Sequence, residues 1–572
     1  MFYWGVNRAS WIIKASIVAF FVPAFMADAF AGINWQPCEG VVDAHFECAS
    51  VDVPLNHQRY VDSYSAFRSN ERMVRIALAR LPASGGTNKK GSLFLNPGGP
   101  GGSGVDMVLN IGPYLFTEEV RRNYDLVGFD PRGIARSDEL TCFEDLSELA
   151  PFIGVPVFPI THDEVSQHRN LDQYLSGMCA MRASELINHM STADVARDLD
   201  LLRQAVGDEK LYFAGYSYGS YLGVTYANLF PENVGAMVLD GVIDPIAWST
   251  GRGWASYFLP YSTRMRSAEG AQDTLQEFFR ACDEGGIEAC ALAGDAESRF
   301  NSVVERIKEE PLVILDDNGS EIVIDYSTVV IGTLNALYSP ASWSEIASTA
   351  AAIEEDLGDS EIANRYYSLR HALGFEDDRG DVIIPQPEVA SAGVSCSDSD
   401  NPYYFDYWSW AAEISDRVYK YFGSPWTWKS SICHSWVGSK ESRYAGDFKV
   451  NTDRPVLVVN TLFDPATPYH GAKTVERLLR NSRLLTVNGW GHTSLFISEC
   501  ADHVVAEYLL RGVLPERGAT CDPDTTPFGA SLPVENSGYR QKPFAATQFS
   551  DREKQKALRR KILKDMMPYH LH

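Results

Sequence analysis

Apolar residues along this chain fall into short runs separated by stretches with helical spacing. Ser92–Leu95, Tyr124–Phe129, Leu211–Ala214 and Val234–Leu239 are such runs, and Pro455–Asn460 and Arg483–Val487 repeat the pattern much later. Runs of this length, bounded by glycine, proline and aspartate, predict strands buried on both faces. Between them, Ala193–Val206 carries leucine and valine at helical spacing with Asp194 early in the pattern, and Ser220–Phe230 reads as a second helix. Strands alternating with helices predict an α/β protein: a mostly parallel central sheet covered by helices on both faces. No internal repeat at solenoid spacing interrupts this order.

The pattern changes between about Pro245 and Arg454. That segment holds helical stretches such as Ala271–Ala281, a hairpin expected around Asp317–Gly319, and an aromatic-rich region from Tyr403 to Trp436. It separates strands of one sheet, so it is expected to form a large, mainly helical lid over the sheet's carboxyl edge. Aromatic density alone more often means packing than ligand binding. The expected organisation is therefore a core at 32–244, a lid at 245–454, a second core part at 455–525 and a tail at 526–572. In that tail, residues 551–564 form a basic, weakly amphipathic stretch that reads as a surface or terminal helix.

The first thirty-one residues look like a processing signal. Arg8 and Lys14 precede the apolar run Ala15–Pro23, and small residues follow at Ala27, Ala29 and Ala31. This is the layout of a secretory signal peptide, with cleavage expected after Ala31, or alternatively Ala29. An uncleaved anchor competes, but the run falls short of the ~20 residues of a membrane span, and no later segment is apolar enough. A secreted protein with no stable membrane association is the expectation.

Charge and cysteine content narrow the class further. Lys and Arg total 50 against 75 Asp and Glu, a formal net charge of −25, which argues against a nucleic-acid partner. The ten cysteines form no CxxC pair, so zinc and thioredoxin-like chemistry are not suggested. Nearness in sequence suggests disulfides Cys38–Cys48, Cys282–Cys290 and Cys500–Cys521, with Cys142–Cys179 and Cys396–Cys433 from the remainder, although spacing alone does not determine connectivity. Asn318-Gly319-Ser320 is a lone glycosylation sequon, usable in a eukaryotic host.

Within LYFAGYSYGSYLGV, Gly215 and Gly219 bracket Ser217 at the junction of a predicted strand and helix. A serine hydroxyl is a weak nucleophile that needs a base, a group to orient that base, and donors for the developing oxyanion. His492, in NGWGHTSL, follows the last predicted strand, and Asp464, in NTLFDPATP, ends the one before it. The order Ser217, Asp464, His492 is that of the α/β-hydrolase nucleophile elbow. Asp240 also ends a strand and rivals Asp464 as the acid. The loop NPGGPGGSG, Asn96 to Gly104, follows an earlier strand and lets backbone approach a substrate. One N–H from Gly98 or Gly99, with that of Tyr218, is the expected oxyanion hole. A phosphate loop is the competing reading of these glycines, but no GK[ST] follows.

The motifs NPGGPGGSG, GFDPRGIARS, GYSYGS, VLDGVIDP, TLFDPATP and GHTSL, with Cys500 and Cys521 framing the last helix, cover roughly Trp35 to Cys521. Together they resemble secreted tripeptidyl aminopeptidases, prolyl aminopeptidase-related α/β hydrolases with a TAP-like C-terminal domain. Two departures stand out: Ala135 where the family usually has glycine in DPRGxGRS, and GHTSL in place of GHGTS. The resemblance implies a serine exopeptidase acting on peptides with free N-termini through an acyl-enzyme, without metal or organic cofactor. Such an enzyme must recognise a substrate ammonium, for which Asp240, Asp244 and Asp398 are candidates, each also readable as a loop or capping residue. A secreted carboxylesterase or lactonase would use the same triad. Serine carboxypeptidases share a similar elbow, but Tyr216 stands where they carry glutamate. A binding module that has lost catalysis generally lacks a triad member, and none is missing here. Oligomeric state is not legible.

Overall fold

A computed structural model describes residues 32–529 except the short segments 42–44, 59–71, 87–88, 145–146, 149–151, 153, 316–318, 320 and 373–385. The expected signal peptide, Asn318 of the sequon and the basic tail stretch lie outside the described residues. The strands are β1 (Gln36–Pro37), β2 (Glu47–Pro54), β3 (Met73–Leu81), β4 (Gly91–Asn96), β5 (Tyr124–Phe129), β6 (Leu211–Tyr216), β7 (Val234–Asp240), β8 (Leu312–Leu315), β9 (Glu321–Ile324), β10 (Val456–Phe463), β11 (Ser482–Trp490) and β12 (Thr520–Cys521). Among the described residues the central sheet has ten strands in the order β1-β2-β3-β5-β4-β6-β7-β10-β11-β12. Pairing is parallel from β5 to β12 and antiparallel among β1, β2, β3 and β5.

Every residue of β4 and β5 is buried, as expected of continuous apolar runs sandwiched between helices. The antiparallel β2 and β3 went unpredicted. Their signal was present in MVRIALARL, where Val74, Ile76 and Leu78 point inward and alternate with Arg75 and Ala77. The helix Thr192–Ala205 starts on Ser191, whose hydroxyl accepts the Asp194 N–H. The predicted hairpin exists as antiparallel β8 and β9, outside the central sheet. The chain between β7 and β10 is otherwise mainly helical and builds its own core around Phe278, Phe279, Phe300, Trp343, Trp408 and Phe422. Much of the Tyr403–Trp436 aromatic run is therefore packing, although Tyr403, Tyr404 and Trp410 remain exposed. All five disulfides join the expected pairs, the three suggested by nearness and the two left from the remainder, and no cysteine among the described residues is free.

One buried ionic contact ties the first half of the sheet to the helix layer. Arg132, fully buried in the loop after β5, donates to Asp198 Oδ2 (2.7 Å) and Oδ1 (2.6 Å), on the Thr192–Ala205 helix. It also donates to the carbonyls of Pro54 (2.9 Å) and Leu55 (2.8 Å) at the end of β2. His57 Nε2 lies 2.8 Å from Asp198 Oδ1. Burial alone would raise the Asp198 carboxyl, but the Arg132 charge and the bonds from His57 and Arg132 outweigh it and hold it below the usual value. The segments carrying His57 and Arg132 thus meet on one carboxylate carried by a third. Ala135, a few residues on, adopts φ 45°, the left-handed backbone that glycine accommodates better.

Because each buried charge depends on the other, Arg132→Leu is expected to cost about 3–5 kcal/mol of unfolding free energy in a urea titration. Combining it with Asp198→Leu should cost clearly less than the sum of the two single changes. Additive losses would show that the two side chains are not coupled.

Candidate active site

The bracketing glycines of Ser217 are a consequence of crowding. Ser217 sits between β6 and the helix Tyr218–Leu229 with φ 55° and ψ −123°. This conformation costs a non-glycine residue on the order of 1–3 kcal/mol and persists only where neighbours enforce it. A methyl group on Gly215 would fall 2.2 Å from the Gly219 carbonyl oxygen. One on Gly219 would fall 2.6 Å from the carbonyl oxygen of Asn96, at the end of β4. Strand, helix and the adjacent strand end therefore meet backbone to backbone, and the turn between them is forced outward. Ser217 N–H donates to the Asp240 carbonyl (2.8 Å), and Ser220 N–H and Oγ close on the Ser217 carbonyl at 2.9 and 2.6 Å. The Tyr218 ring turns away into the core against Tyr221 and Trp248.

Asp464 and His492 meet at the ends of β10 and β11. His492 Nδ1 is 2.9 Å from Asp464 Oδ1 and 3.0 Å from Oδ2, and both side chains are buried. The carboxylate also accepts the N–H groups of Ala466 (2.9 Å), Thr467 (2.8 Å) and Thr493 (3.3 Å), and the Thr467 hydroxyl (2.8 Å). Its orientation is over-determined. An acceptor at Nδ1 places the imidazole proton there and leaves Nε2 as the basic nitrogen. Behind the ring, Tyr338 packs edge-on at 5.0 Å and its carbonyl accepts the His492 N–H (2.8 Å). Thr493 takes φ 67°, so the residue after the histidine adopts the conformation for which the family's usual GHGTS supplies glycine.

The serine turn and the histidine loop approach each other across Asp240 and Gly241. A methyl group on Gly241 would lie 3.3 Å from His492 Cε1, while the preceding carbonyl holds the Ser217 N–H. The Asp240 carboxyl accepts Ser494 N–H (2.9 and 3.0 Å) and Ser494 Oγ–H (2.7 Å). Burial pushes this carboxyl up to about 7, against the lowering effect of the Ser494 bonds. Thus, of the two rival acids, Asp464 is the one bonded to His492.

Gly98, with φ 103°, lies against the elbow: a methyl group there would sit 2.8 Å from Ser217 Cβ and 2.9 Å from Tyr218 N. Its own N–H donates to Asn96 Oδ1 (3.1 Å). Among the described residues, the N–H groups of Gly99 and Tyr218 have no acceptor within the chain. The three carboxylates considered for ammonium recognition all have protein partners. Besides Asp240, Asp244 caps the helix Pro245–Trp248 and accepts Arg252 (2.7 Å). Asp398 accepts Thr192 N–H (2.8 Å), Thr192 Oγ–H (2.6 Å) and Trp248 Nε1–H (3.3 Å), and burial pushes its carboxyl up to about 7.

Three contributors escaped the sequence. Thr467 had a legible signal, since aspartate followed three residues later by threonine suits a local hydrogen-bonded turn. Ser494 lies within GHTSL, but its partner Asp240 is 254 residues away and nothing local signals the bond, and Tyr338 reaches the site from another part of the chain.

A parallel sheet carrying this elbow and an Asp–His pair defines an α/β hydrolase. Residues 91–274 match the α/β hydrolase fold family and residues 419–521 the TAP-like protein family. Over 515 residues the chain is 30% identical to serine protease Hip1 of Mycobacterium tuberculosis, covering 86% of this chain and 91% of the relative. It is 28% identical over 510 residues to a tripeptidyl aminopeptidase of Streptomyces lividans, covering 87% and 88%. Carboxylesterase B of M. tuberculosis is 30% identical over 507 residues, covering 86% and 90%. The chain belongs to this family of α/β hydrolases with a TAP-like C-terminal part, and is a serine hydrolase.

The crowding at the elbow has a measurable consequence. Gly219→Ala should lower unfolding free energy by about 2 kcal/mol or more, through backbone overpacking, and reduce activity. Gly207→Ala, at φ 85° with nothing within 4 Å, is the control and should cost only about 1–2 kcal/mol of left-handed strain without touching activity. Equal effects at both positions would show that crowding is not what selects glycine at 219.

Proposed function

We propose that this protein is a secreted serine exopeptidase that releases short peptides, including tripeptides, from free N-termini. The observation that carries the hydrolytic chemistry is the buried, multiply bonded Asp464–His492 pair standing beside the strained Ser217 turn, and the likeness to a serine protease and a tripeptidyl aminopeptidase supports peptides as its substrates. Ser217 Oγ attacks the scissile carbonyl while its proton passes to His492 Nε2. Asp464 keeps the Nδ1 proton in place and stabilises the imidazolium. The N–H groups of Gly99 and Tyr218 take the oxyanion, Gly98 acting by close approach because its own N–H is engaged. His492 then protonates the leaving amine, and water activated by the same nitrogen hydrolyses the acyl-enzyme.

The insertion at 245–454 serves as the lid over a core made from 32–244 and 455–525. Its contacts support that role, since Tyr338 touches His492 and a methyl on Gly270 would lie 2.4 Å from the Asp464 carbonyl oxygen. Export is supported by five disulfides and by the leader-like first thirty-one residues. No helix among the described residues is long and apolar enough to cross a membrane.

A carboxylesterase is the second reading. It is favoured by one observation: Asp240, Asp244 and Asp398 are all engaged by protein donors, so none of the three presents an unshared carboxylate to an ammonium.

Product mass spectrometry on one peptide, with its N-terminus free or acetylated, decides between them. The free peptide should lose a tripeptide or similar short fragment, the acetylated one should stay intact, and Ser217→Ala should reduce turnover about 10⁴-fold or more. Cleavage of simple esters with neither peptide touched would replace the peptidase with the esterase.

A further inference from the structure

We propose that Asp240 is a positioning residue that locks the His492 loop to the Ser217 turn, a role that rests on the triad reading above and deepens it. The residue makes both connections itself. Its backbone carbonyl holds the Ser217 N–H at 2.8 Å, and its carboxyl takes the Ser494 N–H and the Ser494 hydroxyl at 2.7–3.0 Å. Asp240 ends β7, which lies between β6, carrying the serine, and β10, carrying Asp464. It is therefore placed to set the spacing between nucleophile and base.

The loop it holds is strained. Thr493, a β-branched residue, sits at φ 67°, and Phe496 at φ 62°. The two amides after His492 are held by different carboxylates, Thr493 N–H by Asp464 and Ser494 N–H by Asp240. Loss of the second anchor leaves Thr493 free to relax toward right-handed backbone. The imidazole then shifts relative to Ser217 while its bond to Asp464 persists. The ionisable groups facing Asp240 include Asp464, which opposes its ionisation, His492, which favours it when charged, and Tyr216 on β6, whose phenol its charge pushes up. Replacing Asp240 thus removes the carboxyl and its field together, whereas replacing Ser494 removes one bond that lowers that carboxyl and leaves the group itself in place.

The test compares wild type, Asp240→Asn, Ser494→Ala, Ser494→Thr and Ser217→Ala. Steady-state turnover of an activated ester, the rate of covalent labelling by a fluorophosphonate, and Tm are measured for each. Asp240→Asn should lower kcat and labelling rate about 10- to 100-fold with KM within about twofold, since small misplacements of a catalytic group cost on this scale. Ser494→Ala should lose about 5- to 20-fold in the same parameters with Tm nearly unchanged, and Ser494→Thr, which keeps the hydroxyl, should recover most of that loss. Full activity in Ser494→Ala overturns the proposal even if Asp240→Asn fails to fold. Undiminished labelling of Ser217→Ala would instead overturn the underlying triad reading, and the two failures are thereby separable.

Discussion

The backbone contact between Gly219 and Asn96 is the constraint on which the site depends. It brings the start of one helix, the end of β6 and the end of β4 within van der Waals distance, closer than any side chain permits. The only conformation left for the intervening residue is the strained one at Ser217. The same approach brings the glycine loop after β4 against the turn, with Gly98 touching Ser217 and Tyr218. The strained serine turn, the start of the helix after it and the close approach of the glycine loop are thus consequences of a single packing event.

Strain of this kind is stable only when the surroundings hold it: the Asp240 carbonyl holds the Ser217 N–H, and carboxylates hold the strained loop after His492. Asp464 gathers five donor groups and Asp240 gathers the amide and hydroxyl of Ser494. Away from the site the chain solves a similar problem differently, pairing Asp198 with the guanidinium of Arg132. The contrast has a chemical logic. A buried cation beside His492 would oppose a charge on its imidazole, which the proposed mechanism requires, whereas amide and hydroxyl donors orient a carboxylate without that cost.

The insertion between β7 and β10 completes the site from a distance. Tyr338 backs the imidazole, Glu277 accepts the Trp490 indole N–H (2.9 Å), and Ser267 Oγ donates to the Ala466 carbonyl (2.6 Å). These contacts fasten helices with their own apolar core to the loops that carry Asp464 and His492.

The core strands, the helices between them, the elbow and the Asp–His order were legible from residue order, because each depends on local periodicity or on position along the chain; the disulfide pairs could be suggested by nearness but were decided by the fold. The antiparallel β2 and β3 were legible in principle from alternation but lay ahead of the longer apolar runs. Which glycine of the Asn96–Gly104 loop has an uncommitted amide, which aspartate faces His492, and the parts played by Ser494 and Tyr338 were decided only by tertiary structure. The physical reason is separation along the chain. Ser494 and Asp240 are 254 residues apart, and their bond exists only because β7, β10 and β11 lie side by side in the sheet. Local sequence determined that a glycine-bracketed serine turn would form; packing of remote strands determined what stands around it.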